Sequence, residues 1–387
     1  MFYGLLDLPW WGYIVVALVF THVTTMGVTL FLHRCQAHRG LELHPVASHF
    51  FRLWLWLSTG MRTKSWTAIH RKHHARCETD EDPHSPMVLG LNKVLWFGAE
   101  LYRKEANNQE TLERYGQGTP EDWIERVIYT PYSSKGIYVM LALNLLIFGV
   151  PGLAIWAFQM FWIPFTAAGI INGIGHAWGY RNFECADASR NISPIAILLC
   201  GEELHNNHHT YGTSAKFSVK WWEFDIGWMY ITILSSLGLA KAKRIAPKAH
   251  VDHNKSTVDI ETVKAIITNR FEVLAQYSKE VMKPVWREQT QHLDVGAPAH
   301  KALFRDKMIV DESSQQSLQL LLEKNPTLKL VYQFREQLQA IWARGTASQK
   351  ELLDSLQDWC QRAENAGITS LANFSRTLRR YTLPATE

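Results

Sequence analysis

The chain has 387 residues, enough for one large domain or two smaller ones, and its net charge of +4 is too small to imply nucleic-acid binding by itself. Its five cysteines (Cys35, Cys77, Cys185, Cys200, Cys360) make no CxxC pair, no disulfide spacing and no set for an iron–sulfur cluster, which fits a reducing compartment. The 16 Trp and 17 Phe are many, and aromatic belts at membrane interfaces are one source of such an excess.

The N-terminus lacks the basic region of a cleavable signal peptide, so none is expected. The first apolar stretch runs from Trp10 to Leu32, and Trp10, Trp11 and Tyr13 mark one interface. It just reaches the roughly 20 residues that cross a bilayer. His22 and several Thr inside it predict packing on other helices. His33-Arg34-Cys35-Gln36-Ala37-His38 follows directly. The apolar run Phe50–Met61 is short for a span, and His70-Arg71-Lys72-His73-His74 comes after it. The runs Gly136–Val150 and Gly152–Ile171 are separated by Val150-Pro151-Gly152, a turn signal. This pattern predicts a helical hairpin over Tyr132–Ile171 that crosses and returns. Asn172 and His176 lie at its end, His205-Asn206-Asn207-His208-His209 is next, and a second short run spans Ile226–Ala240.

Parity constrains the topology. If Phe50–Met61 crossed the bilayer, the first two histidine clusters would face opposite sides, so it is read as an interfacial, re-entrant or buried helix. The hairpin crosses twice and returns the third cluster to the side of the others. No Lys or Arg precedes His33, whereas Arg34, Arg39, Arg52, Arg62, Lys64, Arg71, Lys72 and Arg76 follow it. The positive-inside rule therefore places the histidines in the cytoplasm. The fold class expected is all-α: a multi-pass membrane helical bundle with a cytoplasmic histidine dome over residues 1–240, plus a soluble helical region over 241–387.

The clusters read HxxxxH, HxxHH and HxxHH. Imidazole is the commonest metal ligand and suits iron, zinc, copper and nickel. Eight imidazoles exceed what one metal takes and fit a pair. In HxxHH the first histidine neighbours both later ones on a helix. In HxxxxH the spacing is five, so the helix carrying His33 is expected to end or bend before His38. Asn172 and His176, four apart, point toward the same pool, and Asn172 reads equally as a ligand or as an interhelical hydrogen bond.

These boxes, with Asn172-Gly173-Ile174-Gly175-His176, Gly201-Glu202-Glu203-Leu204-His205 and Asp82-Pro83-His84, resemble the integral-membrane fatty acid desaturases over roughly residues 10–240. The chain is most similar to the acyl-CoA Δ9 branch and its bacterial relatives. The resemblance implies a di-iron centre held by His33, His38, His70, His73, His74, Asn172, His176, His205, His208 and His209, with the asparagine acting through a water. It implies O2 as co-substrate, a fatty acyl-CoA or phospholipid acyl chain as substrate, and insertion of a cis double bond, expected at Δ9. It also implies an integral location, expected in a bacterial inner membrane. Trp66 keeps the family's aromatic and is a candidate substrate contact. Ala68-Ile69 stand where acyl-CoA members carry an Arg-Asp pair that contacts the substrate head. Gly169, the other candidate substrate contact, stands where a tryptophan is frequent. The remaining histidines, His84 included, are read as lying around the ligands or on the surface.

An apolar tunnel is expected to hold the chain, with Trp54, Trp56, Trp66 and the Ala167–Gly173 face as candidate lining. Two outside electrons are needed per turnover, and no P-loop, iron–sulfur or dinucleotide site accompanies the histidines, so a separate ferredoxin, cytochrome b5 or flavoprotein reductase is expected. Arg71, Lys72 and Arg76 offer a basic face for an acidic carrier or for lipid head groups. Two other readings stay open: an alkane or acyl hydroxylase of the same metal architecture, and a non-catalytic membrane metal-binding protein.

Past Lys241 the texture turns polar, with helices expected at Asp259–Lys283, Ser317–Glu323, Pro326–Ala343, Ser348–Ala366 and Ile368–Tyr381. Ser348 with Glu351 forms a capping box, and Gly367 is a stop. The stretch from Leu330 to Trp342 resembles the C-terminal helices of some transposases. No nucleic-acid partner is expected for it, and packing on the dome or binding a reductase or a second copy are its possible roles.

Overall fold

The computed structural model describes residues 3–291, 296–343 and 348–384. The protein is mostly helical, and its described strands form three two-stranded ribbons. It divides into two compact units, residues 1–181 with 187–246, and residues 182–186 with 247–387.

In the first unit α1 runs from Trp10 to Ala37 as one 28-residue helix. Its final segment, Val28–Ala37, is π-helical, and the His38 N–H donates to the His33 carbonyl at 3.0 Å. That i→i+5 bond answers the HxxxxH spacing. On an α-helix, positions five apart diverge by about 140°, whereas the wider π-turn brings them back toward one side. The helix closes at Ala37, as the spacing predicts.

Two short helices follow. In α2 (Pro45–Thr59) the residues Ala47, Phe51, Leu55 and Ser58 recur at helical spacing and are buried together. Gly60 then ends the helix with φ +66°. α3 (Thr63–Arg76) carries the second histidine box. Next comes α4 (Leu91–Glu105).

The hairpin consists of α5 (Lys135–Phe148) and α6 (Val150–Ala177). The break falls at Gly149, whose φ is +68°, and not at Pro151-Gly152. Pro151 occupies the first turn of α6, where its missing N–H costs nothing. Only α1 and α6 are long and apolar enough to cross a membrane among the described helices. At 14 residues α5 spans about 21 Å, short of the roughly 30 Å hydrocarbon core. The third histidine box starts α7 (His205–Thr210), and the last apolar run folds as α8 (Ile226–Ser236). A β-ribbon pairs Leu41–Leu43 with Ala240–Ala242 antiparallel, so the segment after α8 returns to the first box.

The second unit packs its helices around Tyr277, Phe334, Trp359 and Phe374. The Tyr277 hydroxyl donates to the Val331 carbonyl at 2.7 Å, and Trp359 Nε1 to the Phe334 carbonyl at 2.9 Å. Helices Pro326–Ala343 and Gln349–Asn365 match expectation, with the Ser348/Glu351 capping box formed in both directions and Gly367 at φ +73°. The helix expected over Asp259–Lys283 instead breaks at Asn269, whose buried side chain bonds the Ala265 carbonyl and closes the first segment. The chain then continues helical over 270–290. The helix expected at Ser317–Glu323 begins earlier, at Glu312, and Ala297–Phe304 adds one not foreseen.

Candidate metal centre

The C-terminal end of α1, the C-terminal half of α3, the end of α6 and the length of α7 bring nine of the ten motif residues, the histidines, to one place. They sort into two groups. His33, His38, His70, His74 and His208 offer ligand atoms all within 4.8 Å of one another. His73, His176 and His209 do the same, with Cys77. His205 adjoins this second group, its Nε2 standing 3.0 Å from His176 Nε2. Each HxxHH box therefore divides. The i,i+4 pair His70/His74 serves the first group and His205/His209 the second. The remaining histidine of each box, His73 or His208, crosses to the other group.

The distances suit ligands around an ion. His33 Nε2 and His208 Nε2 are 3.0 Å apart, His208 Nε2 and His74 Nε2 2.9 Å, and His38 Nε2 and His70 Nε2 2.8 Å. A single N–H on His208 Nε2 cannot serve both of its neighbours well. Metal–imidazole bonds of about 2.1 Å at right angles put ligand nitrogens about 3 Å apart.

Carboxylates grip the far side of the rings. His33 Nδ1 donates to Glu202 at 2.7 Å, His73 Nδ1 to Asp82 at 3.0 Å, His176 Nδ1 to Glu78 at 2.9 Å and His209 Nδ1 to Asp187 at 3.1 Å. A carboxylate only accepts, so each Nδ1 carries the proton and each Nε2 turns a lone pair inward. His209 Nε2 is buried without a hydrogen-bond partner among the described residues, as a ring nitrogen reserved for a metal would be.

Burial pulls the imidazoles of His38, His70, His74, His205 and His208 well below their usual range, and neighbouring rings add to this. Burial also brings His209 down to about 4, against the opposing pull of Asp187. Burial lowers His73 too, but the Asp82 carboxylate more than reverses it and leaves His73 raised. Burial would raise the Asp82 and Asp187 carboxyls, yet His73 and His209 hold them well below the carboxylate range. His38, His70, His74, His205, His208 and His209 are thus held as neutral, metal-ready rings, whereas His73 is held toward its charged form by the ionised Asp82 behind it.

A cavity of about 250 Å³ adjoins both groups. His33, His70, His84, His205 and Asn172 line it on the histidine side, with Glu202. One wall is Gly98, Ala99, Tyr102 and Arg103 from α4, and another is Gln159, Met160 and Ile163 from α6. Trp66 lines it and stacks on His70, with centroids 5.0 Å apart and an interplanar angle of 13°. Ala167, Ala168 and Ile171 line it as expected, but Gly169 does not. A Cβ on Gly169 would stand 2.5 Å from the Leu95 carbonyl oxygen, so this glycine lets α4 pack backbone-to-backbone on α6. Gly98 reciprocates, with its Cβ position 2.4 Å from the Ala168 carbonyl oxygen. Trp54 and Trp56 are not in the lining either; their indoles donate to Thr24 and to the Tyr132 carbonyl.

The basic residues expected to offer a docking face are each partnered within the protein. The Arg71 guanidinium binds the carbonyls of Gln36, Ala37, Tyr115 and Gln117, which fastens the first box. Lys72 pairs with Glu105 at 2.7 Å and Arg76 with Glu81 at 3.3 Å. Arg34, wholly buried within the first box, forms a two-pronged pair with Asp225 at 3.0 and 3.1 Å and lies 3.8 Å over the Phe217 ring. It also donates to the carbonyls of Cys200 and Ala215, tying α1 to the segments flanking the third box. Sequence reasoning missed Glu78, Asp82, Asp187 and Glu202 as ring partners and Cys77 as a neighbour of the second group. The i,i+4 spacing of His73 and Cys77 and the presence of Asp82 and Glu202 inside the motifs that carry the family resemblance were the available signals.

Residues 8–230 match the family described as Fatty acid desaturase, and residues 260–384 match the one described as Transposase. Among curated proteins the chain is similar to the sn-1 stearoyl-lipid 9-desaturase of Anabaena variabilis, at 30% identity over 246 residues, covering 62% of this chain and 86% of the relative. The corresponding Synechocystis protein is 32% identical over 229 residues, covering 58% and 69%. The Delta-9 acyl-lipid desaturase 1 of Arabidopsis thaliana is 30% identical over 234 residues, covering 59% and 74%.

Proposed function

Because this chain belongs to the fatty acid desaturase family and is an oxidoreductase of that kind, we propose that it is a membrane di-iron enzyme that inserts a cis double bond at Δ9 of a saturated acyl chain esterified to a lipid. The observation that carries this is the sorting of nine inward-facing imidazoles into two groups beside one cavity. His33, His38, His70, His74 and His208 would hold one iron, and His73, His176, His205 and His209 the other, with Asn172 nearby through a water. The buried, unpartnered His209 Nε2 and the all-nitrogen donor set fit such ions. Ferrous ions with O2 supply the oxidant that an unactivated methylene pair requires and that no side chain offers.

The protein's own residues do the rest. Glu78, Asp82, Asp187 and Glu202 hold the rings in one tautomer and one orientation. The cavity holds the alkyl chain by shape, because position along a featureless chain is read only by length and bend. Trp66, packed flat on His70, forms part of its wall next to the first metal group. The lipid carrier is favoured by the names of the three relatives above. Buried Ala68 and Ile69 support it, since they offer no charge where the acyl-CoA branch carries a pair. Electrons come from a separate ferredoxin, cytochrome b5 or flavoprotein reductase. The enzyme lies in the membrane with its histidines cytoplasmic, as the charge asymmetry around α1 supports.

The test is turnover by the purified, iron-loaded enzyme with a reductase system. Saturated phospholipid and saturated acyl-CoA are supplied side by side, and the double bond is located by mass spectrometry. A Δ9 alkene on the lipid-bound chain is expected. Alkene on acyl-CoA alone would overturn the carrier assignment, and alcohol without alkene would replace desaturation by hydroxylation.

A further inference from the structure

His84 is outside the ten residues assigned above, yet it is built into the same centre. Its backbone N–H donates at 3.1 Å to the Asp82 carboxylate, which also accepts from His73 Nδ1. Its ring stacks on His73 with centroids 4.4 Å apart and planes 30° apart. Only 6% of the residue is exposed, and Nε2 is buried without a hydrogen-bond partner among the described residues. His84 nonetheless lines the cavity, in company with His70, Asn172 and His205. A buried polar atom without a partner destabilises the fold, so a native one facing a cavity needs an explanation from what enters that cavity.

We propose that His84 is a positioning residue of the desaturation reaction, whose Nε2 hydrogen-bonds the oxygen species, water or O2-derived, that sits in the cavity beside the second metal group. This rests on the di-iron reading. In the coupled reaction a methylene pair gives up two hydrogens, one O2 takes these with two electrons and two protons, and the products are an alkene and two waters. If the oxygen is not held against the chain, the same two electrons and two protons reduce O2 to hydrogen peroxide and the chain leaves unchanged. His84 is suited to favouring the first outcome, because it touches the cavity and the ring of His73 at once.

The experiment compares the full-length iron-loaded enzyme with His84→Ala and His84→Gln. It measures iron per chain, the Mössbauer spectrum of the reduced protein, and alkene and peroxide formed per O2 consumed. Both variants are expected to keep the wild-type iron content. His84→Ala should lose roughly tenfold or more in alkene per O2, with peroxide making up the difference. Removing such a hydrogen-bonding or acid–base group usually costs about 10²-fold or more in rate, so tenfold in coupling is a lower bound. His84→Gln, whose amide N–H reaches a similar distance, should recover part of the coupling. Wild-type coupling in His84→Ala would overturn the proposal, and so would iron loss in both variants, which would make His84 a ligand or a structural residue. Wild-type protein holding fewer than two irons would instead sink the di-iron reading beneath it.

Discussion

Behind each inward-facing imidazole of His33, His73, His176 and His209 stands a carboxylate that decides where its proton sits. Removing such a partner releases the ring's tautomer and orientation, which typically costs 10–100-fold in metal affinity. Asp82→Asn and Asp187→Asn are therefore expected to lose iron to a chelator about 10–100 times more readily than wild type, while the melting curve of the metal-free protein changes far less. Burial of the rings gives a pH dependence with a definite sign. His209 takes up a proton at about 4 in the folded protein and at about 6.5 when unfolded. The unfolded chain thus binds more protons between those values, and stability falls as pH drops from about 6.5 toward 4. His70, His74, His205 and His208 shift in the same direction. The melting temperature of the metal-free protein in detergent should fall steadily over that window, and a flat profile would contradict the burial of neutral rings. The eight boxed histidines were legible from spacing, and His176 through the family resemblance. Their partners were not: Glu78 and Asp187 look like ordinary charges, and Asp82 and Glu202, although they lie in the family motifs, show which ring they serve only when the fold sets them against it.

At the level of helices, two features place the centre. The π-helical end of α1 puts His33 and His38 within a 4.9 Å centroid separation, which an α-helical continuation would not allow. The Gly98/Gly169 seam lets α4 and α6 touch along their backbones and so forms one wall of the cavity. Neither backbone carbonyl can yield without moving its helix. Gly169→Leu should therefore cost about 1–3 kcal/mol by overpacking, read as a lower melting temperature, and should distort or close the cavity. Arg34→Ala leaves Asp225 as a buried charge without its guanidinium, a change that typically costs about 3–5 kcal/mol. It should unfold a larger fraction of the protein than Arg71→Ala, whose partners are carbonyls near solvent. The sequence placed most helices through their caps and apolar periods, as at Ser348 and Gly367. It missed the break at Asn269 because the residue is compatible with a helix interior, and only its buried bond to Ala265 shows that it closes one.

In the whole molecule all ten motif residues lie in the first unit, although the chain leaves that unit at residues 182–186 and rejoins it. No local signal marks that excursion, since it depends on contacts with residues far along the chain. The proposed membrane topology, by contrast, rests on composition alone. The N-terminal segment before α1 and the loop at Gln117 should lie on opposite sides of the bilayer. An impermeant thiol reagent on intact cells should label Asp7→Cys, and should reach Gln117→Cys only in inverted vesicles. The reverse pattern would refute the cytoplasmic placement of the histidines. The most direct test of the central claim is a count of iron, after anaerobic loading with ⁵⁷Fe, in the wild-type enzyme and in His208→Ala and His73→Ala, one for each group. Two irons per chain in nitrogen-rich environments, with each substitution weakening a different one and abolishing alkene formation, are predicted. Fewer than two irons in folded wild-type protein, or full desaturation by either variant, would contradict the account.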